Sequence, residues 1–134
     1  MEEDKKMKYG YAKTVSLSFD KAIEKAKEEL QKEGFGILTE IDVKATLKKK
    51  LNIDYNKYMI LGACNPNFAH KALESEKEIG LLMPCNIIIY ENDNQVNVSA
   101  ILPTKVMSII KNNQLKKIAE QAEEKLKRAI NNIN

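Results

Sequence analysis

Two cysteines, one histidine and two acids set two residues apart are the groups in this chain whose chemistry goes beyond packing. In Thr39-Glu40-Ile41-Asp42 the alternation of a strand puts both carboxylates on one face, about 6.5–7 Å apart. Acids so placed hold a cation or act as an acid/base pair. They also have structural uses, Asp42 as a helix cap and Glu40 as a surface acid. In Gly62-Ala63-Cys64-Asn65-Pro66 a thiol stands where a strand gives way to a helix. Backbone N–H groups at a helix start favour negative charge, which makes Cys64 a candidate thiolate; the plainer alternative is a small buried apolar residue. Pro84-Cys85-Asn86 opens a later strand. If that strand runs antiparallel to the one ending at Cys64, the two thiols share a rim, and a disulfide, a thiol pair or a shared metal becomes geometrically feasible. Their separation of 21 positions matches neither a CxxC redox pair nor a standard zinc template, and two inert buried thiols are the plainer reading. His70, early in the same helix as Asn65, is either a base or metal ligand beside Cys64 or an exposed helix residue. The metal-ligand candidates are thus Cys64, Cys85 and His70.

The elements that must position these groups follow from periodicity. Gly10 to Leu17 alternates and predicts a first strand. Ser18 caps a helix with Ala22, Ile23, Ala26 and Leu30 at helical spacing, ended by Gly34. Phe35 to Asp42 predicts the second strand, with Phe35, Ile37, Thr39 and Ile41 on one face and Gly36, Leu38, Glu40 and Asp42 on the other. A short helix over Val43 to Leu51 precedes a third strand, Tyr58 to Cys64, apolar on both faces. Asn65-Pro66 opens a helix to about Lys77, and Gly80 to Pro84 reads as a loop. Cys85 to Glu91 and Gln95 to Leu102 form a hairpin across Asn92-Asp93-Asn94. Pro103 stops the strand, Thr104 caps a further helical segment, and a last helix runs from Leu115 to Ile130. Its stripe is Leu115, Ile118, Ala122, Leu126, Ala129 and Ile133. The order β-α-β-α-β-α-β-β-α predicts an α+β domain, a mixed or antiparallel sheet with helices mainly on one face. No glycine-rich phosphate loop follows the first strand, which sets the chain apart from doubly wound nucleotide folds.

Composition bounds the function classes. The chain has 134 residues, the size of one domain. We read residues 1–10 as a flexible lead-in and 11–134 as one domain, with a core over 11–103 and C-terminal helices over 104–134. Twenty-two basic and 19 acidic residues nearly balance, and only 6% of residues are aromatic, which argues against nucleic-acid binding. The Lys48-Lys49-Lys50 triplet reads as a solvated helix face. No apolar run approaches the ~20 residues of a bilayer span. Met1 to Lys8 is charged and lacks the apolar core of a signal peptide, so a cytoplasmic chain with free thiols is expected.

Several segments together resemble the domain of unknown function 302 family. They are Gly34-Phe35-Gly36-Ile37-Leu38-Thr39-Glu40-Ile41-Asp42, Leu61 to Pro66, Ala69 with Ala72-Leu73, and Leu82-Met83-Pro84-Cys85-Asn86. The Cys-Asn-Pro and Pro-Cys elements are the specific part. The resemblance covers roughly Tyr11 to Pro103. It implies a compact α+β architecture similar to that of TATA-binding-protein-like domains, and dimers; it implies no activity, cofactor or catalytic residue.

Three functional readings follow. The first is a small domain binding a polar or anionic small molecule, or a metal, at a rim made by Glu40, Asp42, Cys64, Asn65 and Cys85. The second is a thiol enzyme, redox or nucleophilic, using Cys64 with Cys85. The third is a homodimeric interaction module in which part of the last helix, with Met107, Ile109 and Ile110, packs on a second subunit. Nothing in the sequence names a cofactor.

Overall fold

A computed structural model describes residues 8–134. The expected lead-in lies mostly outside the described residues, and Gly10 already belongs to a strand. Five strands, β1 (Gly10–Val15), β2 (Gly36–Asp42), β3 (Tyr58–Cys64), β4 (Cys85–Asn92) and β5 (Gln95–Ile101), form one sheet in the order β1-β5-β4-β3-β2. Every pairing is antiparallel. The helices are α1 (Phe19–Lys32), α2 (Val43–Leu51), α3 (Pro66–Ser75), α4 (Pro103–Val106) and α5 (Asn113–Asn131). Short 3-10 turns cover Lys77–Leu82, overlapping the loop expected over Gly80 to Pro84, and Met107–Ile109.

The core lies between one sheet face and the pair α1 and α5. Leu61, Ile87, Ile89 and Val98 line up on that face, and Ala22, Ala26 and Leu30 of α1 and Leu126, Ala129 and Ile130 of α5 close over them. Each large aliphatic side chain so buried contributes roughly 1.5–3 kcal/mol relative to exposure. Ser18 and Asn112 cap the two helices by accepting from the N–H groups of Lys21 and Leu115. Glu33, at the end of α1, takes both Nε and Nη2 of Arg128 on α5 at 2.9 Å. That guanidinium holds the Glu33 carboxyl below the usual carboxylate range. Past the same last turn of α5, Lys13 of β1 donates to the carbonyls of Asn131 and Ile133, and the Tyr11 hydroxyl donates to Asn131. The lysine meets the negative end of the α5 dipole.

The β4–β5 hairpin turns on Asp93 and Asn94, both at positive φ, 52° and 64°. That pair suits the twist of the flanking strands in a two-residue turn. A second, smaller cluster of Ala72, Ile79 and Leu115 joins α3, the first 3-10 turn and α5, with Met83, Met107 and Ile110 packed against it.

Three local expectations change. Register slips between Ile37 and Thr39, so Leu38 is an extra residue bulging from β2. Beyond the bulge the strand faces exchange, and Glu40 and Asp42 now share a side with Ile37 rather than with Gly36. Thr104 does not cap α4: Pro103 occupies the first helical turn, and Thr104 instead donates through its backbone N–H and its hydroxyl to Glu123. The α5 stripe is consumed by its own domain, Ile133 included, and of the three residues expected to meet a second subunit only Ile109 stands out, 77% exposed.

Candidate functional site

The two thiols do meet at one border of the sheet. β3 ends where β4 begins, and the register sets Ala63 opposite Cys85, with Cys64 one residue further along and opposite Gly36. Both cysteines are free thiols. The acids lie elsewhere. Glu40 stands opposite Leu61 and Asp42 opposite Met59, about 10 Å and about 17 Å along the strand from Cys64. Glu40 is an ion-pair partner of Lys27 on α1 at 2.7 Å. Asp42 caps α2, accepting from the Ala45 N–H at 2.9 Å. His70 is exposed on the outer side of α3, in a groove with Glu74 and Lys117, and lines no cavity with either cysteine. Among the described residues no three His, Cys, Asp or Glu side chains come together as a metal-ligand group.

Asn65 organises the border. Its Oδ1 accepts from the Phe68 N–H, capping α3, and its Nδ2 donates to the Glu33 carbonyl, both at 3.4 Å. Gly34, at φ +87°, leaves α1 in the left-handed region, and a Cβ there would meet Asn65 Nδ2 at 2.9 Å. The N-terminus of α3 is therefore largely spoken for. Pro66 has no N–H, Phe68 is capped by the side chain and Ala69 by the Asn65 carbonyl. An anion would find little to bind.

Beneath this border is a cavity of about 50 Å³. Phe35 and Ala63 floor it, and Phe68, Ala69 and Ala72 of α3 face Ile118 and Ala122 of α5 across it. Its remaining wall carries Cys64, Met83, Cys85 and Met107. The Met83–Pro84 peptide is cis, and a Cβ on Gly62 would meet Pro84 Cγ at 2.9 Å and run into Thr39 Oγ1. Gly62 thus permits the loop to lie against β3. Asn65 is the sole polar residue facing the cavity apart from the two thiols, and its amide is engaged. No buried polar side-chain atom among the described residues lacks a partner. Burial, with a smaller contribution from the neighbouring Cys64, pushes the Cys85 thiol up to about 11.

Sequence reasoning reached the thiols and Asn65 but not the rest of this wall. Met83 and Met107 look like ordinary core methionines, and only the meeting of the loop before β4 with the second 3-10 turn brings them to the cysteines. The bulge at Leu38 carries no turn residue and had no signal to announce it.

The comparisons with known proteins agree with this architecture. A family model described as a domain of unknown function, DUF302, matches residues 11–133. The chain belongs to that family, and the match takes in α5. The crystal structure of an uncharacterised conserved DUF302 protein from Bacillus stearothermophilus superposes with a TM-score of 0.89 at 28% identity, covering 94% of this chain and 98% of that one. No curated protein matches the chain.

Proposed function

We propose that this member of the DUF302 family is a binding domain whose site is the cavity under the Cys64–Cys85 border, and that its ligand is small and not anionic. One observation carries this: both thiols border a single cavity whose wall offers sulfur and hydrocarbon but no unengaged hydrogen-bonding side chain. The volume is far below the ~300 Å³ at which drug-sized pockets begin. Glu40, Asp42 and His70 are outside the site in this reading. A thiol enzyme fits less well, because Cys85, raised to about 11, is protonated at neutral pH and makes a poor resolving nucleophile.

Xenon under pressure is the probe for the cavity. Methyl resonances of Ala63, Ala69, Ala72, Ile118 and Ala122 should shift saturably, and Ala69→Ile, which fills the space, should remove the response while the fold persists at a cost of about 1–3 kcal/mol. Methyls that ignore xenon in the wild-type protein would sink the reading.

A homodimeric interaction module is the second reading, favoured by a specific surface. β2 ends the sheet, so one edge of its backbone is unpaired. Leu38, Ile41, Leu51, Ile53 and Tyr55, all exposed large apolar residues, lie along β2, α2 and the loop that follows. No side chain of α2 is buried. An edge strand of this kind is a template for another strand, and antiparallel pairing with a second copy is self-complementary.

A further inference from the structure

Seven sulfur-bearing side chains occur in the chain, five Met and two Cys. Met1 and Met7 precede the described residues, which leaves Met59, Cys64, Met83, Cys85 and Met107. Four of these five line the one cavity. They come from the end of β3, the loop before β4, the start of β4 and the second 3-10 turn. Their gathering is a product of tertiary structure, not of a sequence run.

We propose that the cavity is a site for a soft monovalent metal ion of the copper(I) class, held by the Cys85 thiolate and the thioethers of Met83 and Met107, with Cys64 completing the set from the border. This rests on the reading of the cavity as the binding site and names its ligand class. The chemistry of the donors decides the class. Thioethers are poor ligands for hard or borderline divalent ions, whereas thiolate and thioether donors together select copper(I). Zinc would want three or four thiolate, imidazole or carboxylate donors, and no such group exists among the described residues. The space, about 50 Å³, is ample for a single ion. An apolar wall of Phe35, Phe68 and Ile118 disfavours strongly hydrated ions, which keep their water shell. Loading is an exchange without electron transfer. Each cysteine that binds exchanges its S–H bond for a sulfur–metal bond and releases one proton to solvent.

Silver(I) is the probe, because it shares the soft chemistry and needs no reductant. Any thiol binds silver, so the deciding readout is the contribution of the methionines. Titration of the folded wild-type protein against excess glutathione, read by native mass spectrometry, should leave one silver per chain. Met83→Leu and Met107→Leu, which keep the volume and remove sulfur, should each weaken retention by about tenfold or more, the scale of loss that even supporting groups of metal sites produce. Met59→Leu, away from the cavity, should change nothing. Retention that ignores Met83 and Met107, or complete loss of silver to glutathione from the wild-type protein, overturns the proposal. Xenon entering the wild-type cavity alongside such a result would reject the ion while leaving the cavity as the binding site; failure of xenon as well would reject both.

Discussion

Cys85 is where a single residue separates a stored thiol from a working one. Its environment holds the proton up to about 11 against an ordinary value of 9.0. Below pH 9 the folded and unfolded chains both carry that proton, and the group is neutral to stability. Between about 9 and 11 only the unfolded chain loses it, so stability falls as pH rises, by about 2–3 kcal/mol at most. Thermal unfolding followed from pH 8 to 11 should show a steeper fall for the wild-type protein than for Cys85→Ala. Parallel curves would mean that the thiol is not desolvated. Below pH 8 the same shift makes alkylation of Cys85 about a hundredfold slower than that of an ordinary thiol. The pairing of Cys64 with Cys85 on one border was legible from strand direction alone. The methionines were not, since nothing in the spacing 83 to 107 distinguishes a shared wall from two separate core positions.

At the scale of elements, the border depends on two close approaches. Asn65 ties α3 to the end of α1, and Gly62 lets the Pro84 loop sit on β3. Asn65→Ala removes the cap and the strut and should cost about 1–2 kcal/mol. Gly62→Ala pushes a methyl into Thr39 and Pro84 and should cost more, about 1–3 kcal/mol by overpacking alone. Chemical denaturation of both variants tests the order, and an equal or smaller effect of Gly62→Ala would show that the loop yields freely. Caps, the hairpin and the buried stripes of α1 and α5 could be read from the sequence because they obey local rules: Ser18, Asn65, Asp93-Asn94, Ala22 to Leu30. The bulge at Leu38 could not, since Phe35 to Asp42 alternates smoothly and the inserted residue is paid for only in pairing with β3. That one residue moved Glu40 and Asp42 to the other strand face. Their distance from the thiols has a different origin: they stand at the far end of an antiparallel strand.

For the whole molecule, the family match over residues 11–133 and the fit of α5 into the core make the last helix integral. Deleting it would expose the sheet. The surface that remains open is the β2 edge with α2. Leu38 and Ile41 are 66% and 47% exposed there. Sedimentation of the wild-type protein should give a dimer, and Leu38→Lys with Ile41→Lys should give a folded monomer, since a charge on an edge strand is a standard block to pairing. A monomeric wild-type protein would leave this edge without a partner of its own kind.

The clasp between β1 and the last turn of α5 has a geometric corollary. Lys13 and Tyr11 hold Asn131 and Ile133, so polypeptide enters and departs at a single corner. Segments grafted ahead of Gly10 and behind Asn134 would begin as neighbours, and Gly10, opposite Ile101, starts on the sheet border where β4 begins with Cys85. A host protein could therefore carry this domain as a side branch on its own backbone.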